Sequence, residues 1–372
     1  MKKLGSILDG ENNSFNLLRL LAALLVVISH SFEIPVGPDA IQPLDGPTPF
    51  NLGAHAVNAF FIISGLTLSN SITKNPDLIR FVTARCLRIF PGLIAFGFVF
   101  AFVLGPAVTT APLQEYFSDA RAYLYPFAIL LDFGDATPPL GVFEQNPVAG
   151  MVNDPLWTIR YELAAYFGFA LLVVTGLFKS RIGLVLSCAA VIAYFGLFEV
   201  RPGLGGEVHG FASIARFGFC FMLGVVAFSL RDRIVLSSAA LLAAGFVLWL
   251  LSGTPLARAG YLLFTGYFVF VIGSLSFGAL SRWTRRTDIS YGTYLYGWPI
   301  QQTLIFAMPG IGIGPLMIAT LALAPFAGLL SWVLVEKRAL SLKRRSVQSS
   351  HELARSKDRG GLSKARTRDG FV

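Results

Sequence analysis

Ten apolar stretches follow one another along this chain, at roughly 15–35, 53–72, 89–108, 156–178, 182–199, 210–230, 234–252, 259–280, 289–308 and 313–335. A helix needs about 20 such residues to cross hydrocarbon. In lipid the backbone must satisfy its own polar groups, so each stretch is constrained to be helical. The chain is therefore read as all-α, a polytopic integral membrane protein with about ten transmembrane helices. Its composition agrees: 54% of residues are apolar and only 14% charged, against about 25% charged in soluble domains. One shorter piece, Ala122 to Leu131, contains Pro126. It reads as a re-entrant or interfacial part of the long loop at 109–155.

The formal net charge of +9 raises the possibility of a nucleic-acid partner, but the placement of the charges speaks against one. Nine of the thirty Lys and Arg residues follow Arg338, and most of the others flank apolar runs. With ten spans and a cytoplasmic N-terminus, the inner loops hold Lys74, Arg80, Arg85, Arg88, Lys179, Arg181, Arg231, Arg233, Arg282, Arg285 and Arg286. The outer loops hold Arg121, Arg201 and Arg258, and they collect Asp39, Asp45, Glu115, Asp119, Asp132, Asp135, Glu144 and Asp154. Basic loops face the cytoplasm, so the expectation is a multi-pass protein of the bacterial inner membrane with both termini cytoplasmic. Residues 1–338 form the membrane domain. Residues 339–372 read as a basic, disordered cytoplasmic tail. The first span carries Arg19 and His30 and is too long for the core of a cleaved signal peptide. Cys86, Cys188 and Cys220 suggest neither a disulfide framework nor a metal site.

A charged side chain at mid-bilayer costs about 2.5–3.5 kcal/mol on insertion scales, so each one inside a span is a functional candidate. They are Arg19, His30, Arg160, Glu162 and Arg216. A structural ion pair or a snorkelling side chain is the plain alternative for any one of them. Arg19 and His30, eleven residues apart, face the same way and are separated by about 16 Å along a helix axis. Counted inward from the opposite surface, Glu162, Arg160 and Arg216 reach the depth of His30. A neutral histidine can take a proton from a hydroxyl, and a carboxylate on its other nitrogen would orient it. An arginine nearby could hold a sugar or stabilise an oxyanion. Arg85 and Arg88, three residues apart, are spaced to grip a phosphate, although on spacing alone they read as positive-inside anchors. Ser29, Ser31 and Ser64 suit helix packing better than nucleophilic attack. His55, His209 and His351 read as surface histidines. No hydrolase elbow, phosphate loop or dinucleotide fingerprint is found.

Four stretches then form a pattern: Phe15 to Arg19 through Ser29-His30, Val57-Asn58 to Gly65, Phe81 through Arg85 and Arg88 to Pro91, and Leu156-Trp157 to Glu162. A fifth runs from Ile289 to Leu295. In this order the chain resembles the acyltransferase family 3 membrane proteins, which O-acylate extracytoplasmic carbohydrates. The resemblance covers residues 12 to about 338 and implies that His30 is catalytic, with Glu162 the essential carboxylate. It implies that Arg19, Arg85 and Arg88 handle the acyl-CoA donor, acetyl-CoA being the expected form. Arg160, Arg216, Asn58 and Trp157 fall to the acceptor, a surface glycan or lipid-linked glycan, with membrane lipid around the protein and no metal required. Two positions depart from the pattern. Asn16 stands where an Asp is common, and Gly297 where many members carry a His. Some members add an extracytoplasmic hydrolase-like domain, so this chain is expected to act alone or to pass its acyl group to a separate extracytoplasmic transferase. The rival reading is a transporter or flippase of polysaccharide precursors.

Overall fold

A computed structural model describes residues 2–10, 13–201 and 210–342. His209, His351 and the expected tail from residue 343 onward lie outside the described residues. Among the described residues ten principal helices run in order: α1 Phe15–Glu33, α2 Leu52–Lys74, α3 Leu78–Val108, α4 Asp154–Val174, α5 Arg181–Val200, α6 Phe211–Ser229, α7 Ser238–Leu251, α8 Ala257–Gly273, α9 Ser290–Ala307 and α10 Ile313–Leu342. Seven of them, α1 to α6 and α10, are long and apolar enough to cross a membrane. The other three are shorter or carry more polar side chains. The protein is an all-α, multi-pass membrane protein.

Hydrogen bonds sort the connections by end. At one end, Gly5 N donates to Arg231 O (2.9 Å) and Ser14 N to Gly273 O (2.9 Å). Lys74 Nζ reaches Leu8 O at 3.3 Å, and Lys2–Lys3 pairs antiparallel with Val235–Leu236. The chain start and the α2–α3, α6–α7 and α8–α9 connections therefore share one end, which is also rich in Lys and Arg. That is the parity required of helices that alternate in direction.

Two helices begin where hydropathy alone does not place them. Asp77 caps α3, its side chain accepting from Arg80 N at 2.9 Å. The helix therefore starts at Leu78, eleven residues before the expected span, and Arg80, Arg85 and Arg88 lie on the helix instead of in a loop. The second case is α4. The segment before it dips along α9: Asn146 Nδ2 donates to Gln302 O (2.9 Å), Trp298 Nε1 to Met151 O (3.1 Å), and Asn153 Nδ2 to Leu295 O (2.8 Å). Leu295 is only five residues from the start of α9, so α4 begins deep in the bundle. Irregular backbone at that depth is tolerated because it is buried against protein. The piece at Ala120–Leu131 is a helix of 12 residues, about 18 Å long, too short to cross. It packs on α3, where Pro126 closes on Gly97.

The bundle is tightest where α2 meets α6. A side chain at Gly65 would strike Phe221 O, and one at Gly224 would strike Ile62 O. Small residues of this kind let helix backbones meet in membranes, where packing replaces the hydrophobic drive.

Candidate active site

Helices α1, α2, α3, α4 and α9 surround a cavity of about 750 Å³, partly open to the outside. Arg19, Arg85, Arg88 and Glu162 line it, with Tyr166, Tyr291 and Tyr294, Thr158 and Ser290, and the apolar side chains of Val57, Phe60, Phe61, Ile89 and Ile159. The position follows from the two shifted helix starts. The early start of α3 presents Arg85 and Arg88 on one face, and the deep start of α4 brings Glu162 down to the level of the first turn of α9.

The three arginines are not equivalent. Arg88 Nη2 lies 2.8 Å from Asp288 Oδ2, and its Nη1 lies 3.9 Å from the fully buried carboxylate of Glu336. Arg88 is thus held by two anions of the protein itself. Arg19 Nη2 donates to Thr67 Oγ1 at 2.9 Å. Arg85 lies over the ring of Tyr166 at 5.8 Å, and its buried Nε has no hydrogen-bond partner among the described residues. The hydroxyl of Tyr166 donates to Glu162. The cavity therefore combines two guanidiniums without a carboxylate partner among the described residues, a third already neutralised, and aromatic walls. An anion with a flat or apolar portion suits that lining.

His30 is not in this cavity. It sits near the C-terminal end of α1, edge-on to Trp298 with ring centroids 4.9 Å apart. Trp298 is one helical turn along α9 from Tyr294, so the histidine lies about a turn beyond the cavity wall. Its Nδ1 is 3.1 Å from Glu33 Oε2 on the same helix. This corrects the expected pairing: the carboxylate on His30 is Glu33, and Glu162 belongs to the arginine cavity. The depth count failed because it began α4 at the bundle surface. Gly297 lets α9 approach α1 here, since a Cβ at that position would stand 2.7 Å from Val27 Cγ2. A larger side chain at position 297 would require Val27 to move.

Of the residues expected at the acceptor, Trp157 and Arg216 share Phe217, and Arg160 lies three residues after Trp157 on α4. Arg160 pairs with Asp135 at the surface. Arg216 packs its guanidinium on Phe217 at 4.4 Å and Phe50 at 5.6 Å. Trp157 packs against Tyr161 and Phe217. Asn58 is fully buried, and neither atom of its amide has a hydrogen-bond partner among the described residues. The expected chamber of His30, Glu162, Arg160 and Arg216 is therefore divided: His30 pairs with Glu33, Glu162 lines the arginine cavity, and Arg160 and Arg216 lie on either side of the Tyr161–Phe217 pair. Residues missed in the sequence are Glu33, Asp288 and Glu336. The spacing of Glu33 three residues after His30, on one helical face, was the available signal. Asp288 and Glu336 sit at helix ends, where a carboxylate reads as an ordinary surface charge.

Comparison with known proteins adds to this geometry. A family model described as an acyltransferase domain matches residues 12–336. The chain is 28% identical to Nodulation protein 10 of Rhizobium leguminosarum bv. viciae, over 90% of this chain and 95% of that protein. It is 26% identical to an O-acetyl transferase of Shigella phage Sf6, over 89% of this chain and 97% of that one. No solved structure matches. An all-α membrane bundle with an arginine-lined cavity, matched by that family over nearly its whole length, belongs to acyltransferase family 3 and is an O-acyltransferase.

Proposed function

We propose that this protein takes an acyl group, acetyl in the first instance, from cytoplasmic acyl-CoA. It passes the group to a hydroxyl of an extracytoplasmic carbohydrate or lipid-linked glycan, working in the bacterial inner membrane with both termini cytoplasmic. The observation that carries this reading is the alignment of two groups along one helix: Arg19 in the cationic cavity and His30 eleven residues further on. Arg85 and Arg19 bind phosphate groups of the donor, and the tyrosine walls accept its apolar portions. Arg88, tied to Asp288 and Glu336, shapes the cavity and adds little net charge. The pantetheine arm extends past Tyr294 towards Trp298 and presents the thioester to His30.

His30 Nδ1–H donates to Glu33, leaving Nε2 as the base. Nε2 takes the proton of the acceptor hydroxyl as its oxygen attacks the thioester carbonyl. The C–S bond then breaks, the thiolate recovers that proton from the imidazolium, and CoA thiol leaves with the ester formed. Glu33 stabilises the imidazolium while it exists. Asn58, whose buried amide has no partner among the described residues, hydrogen-bonds a polar part of the substrates. The membrane side of each step rests on the positive-inside distribution.

The test is release of CoA thiol from acetyl-CoA by purified protein in nanodiscs, with and without a glycan extract of the native membrane, alongside the ester content of surface glycans in a deletion strain. Acceptor-dependent release together with lost ester supports the reading. Glycan precursor stranded on the cytoplasmic side, with no thiol release, would establish the flippase reading instead.

A further inference from the structure

A hydrogen-bonded chain runs from the backbone of α2 to the ring of His30. Gly53 N donates to Ser29 Oγ at 3.0 Å. Ser29 Oγ lies 2.6 Å from Gln42 Oε1. Gln42 Nε2 lies 2.8 Å from Glu33 Oε2, and Glu33 Oε2 lies 3.1 Å from His30 Nδ1. Its direction is not free. A backbone N–H can only donate, so Ser29 Oγ accepts at one side and sends its own proton on to Gln42. The glutamine carbonyl accepts that proton, which turns the amide N–H₂ towards Glu33. Gln42 thereby holds Glu33 Oε2 against the ring, and because the carboxylate only accepts, the ring nitrogen it faces carries the proton.

We propose that Ser29 and Gln42 are positioning residues for His30: the chain they complete, starting at Gly53 N, selects the Nδ1–H tautomer and leaves Nε2 unprotonated towards the acceptor. This rests on the reading of His30 as the base, but the tautomer itself can be determined without any activity. Three features support a built chain. Gly53 N is one of the amides at the start of α2 that the helix itself cannot satisfy, and Ser29 meets that need. Ser29 is fully buried. A Cβ at Gly53 would sit 3.2 Å from both Ser29 Cβ and Ser29 Oγ, so glycine is what lets α2 come this close to α1. Reversing the amide of Gln42 would set a carbonyl against a carboxylate and two donors against each other's hydrogens. The wrong orientation is thus disfavoured at both ends.

The experiment uses full-length protein labelled with [15N]histidine in nanodiscs. The chain has four histidines, and His30→Gln identifies the signals of His30. Nitrogen–proton correlation spectra then report which ring nitrogen is protonated. The expected result is Nδ1–H for His30 in the wild type and a mixture of tautomers in Ser29→Ala and in Gln42→Met. Gln42 lies in a partly exposed loop, so Gln42→Met keeps the test available if Ser29→Ala does not fold. In the same variants kcat should fall about tenfold or more with KM for acetyl-CoA unchanged, as expected when a general base is misdirected. An Nε2–H tautomer in the wild type, or an unchanged tautomer in Gln42→Met, overturns the proposal. Full activity in His30→Gln would remove the function assigned above, while the spectra would still decide whether the chain sets the tautomer.

Discussion

Arg88 and Asp288 meet at 2.8 Å between the middle of α3 and the residues just before α9, with Ser290 bonded to the same carboxylate at 2.6 Å. Arg85, one turn earlier on α3, has no such carboxylate among the described residues. Two arginines that look alike in sequence therefore answer differently to substitution. Arg88→Gln would leave Asp288 and Glu336 buried without their cation, and breaking a buried pair from one side costs about 3–5 kcal/mol. Its expected result is reduced folded protein, read by melting in detergent. Arg85→Gln should leave the melting temperature within error and raise KM for acyl-CoA about tenfold, or 1.4 kcal/mol. Equal loss of stability in both variants would return the pair to a shared anchoring role.

Asp288 fixes the sign of the acid response. Burial pushes its carboxyl up, but Arg88, Arg19 and the Ser290 hydroxyl more than offset this, and the group is held below its ordinary range. A depressed folded value means the stabilisation is fully present above the unfolded value of about 3.9 and lost as pH falls through the folded one. The melting difference between wild type and Asp288→Asn should therefore be constant from pH 8 down to about pH 5. A difference that vanishes near pH 6 would mean that this carboxylate titrates high.

His30, Glu33 and Glu162 can be separated by double variants. His30→Ala should nearly abolish transfer with the protein still inserted. Glu33→Gln should lower kcat strongly, and the double variant should be little worse than His30→Ala, because residues that act as a unit are non-additive. Glu162→Gln should change the donor KM instead. If Glu162 and His30 proved to be the non-additive pair, with Glu33→Gln harmless, the carboxylate assignment would be reversed.

Reporter fusions at Pro112 and at the C-terminus should give opposite signals, the second cytoplasmic. Matching signals would break the parity expressed by the shared end of the chain start and the α2–α3, α6–α7 and α8–α9 connections.

Hydropathy made the ten helices legible because lipid leaves few alternatives to a helix, and the eleven-residue spacing placed Arg19 and His30 on one face. The partner of His30 was not legible by counting depth. That count needs each helix to start at the surface, and α4 starts beside Leu295 because Asn146, Met151 and Asn153 are bonded along α9. Asp77 had the converse effect on α3, capping it early enough to lift Arg85 and Arg88 out of a loop and onto a helix. Each displacement was decided by tertiary hydrogen bonds or a cap, which a hydropathy window does not register. The link from His30 to Glu33 needed only local spacing, yet a carboxylate at a helix end resembles an interfacial charge.

The crossing of Gly65 and Gly224 has a mechanical consequence. With the backbones of α2 and α6 already touching, that wall has no slack, and a side chain there could not retreat. On α4, by contrast, only Ala164, Phe167, Gly168, Leu171 and Val174 are exposed, all in its second half. The shared hydrogen bond of Thr158 and Tyr294, 2.7 Å long, joins α4 to α9 in the wall of the cavity. Under the function proposed above, the donor arm therefore runs along a fixed jamb at α2, with the start of α4 pinned to α9 by Asn153 and Thr158.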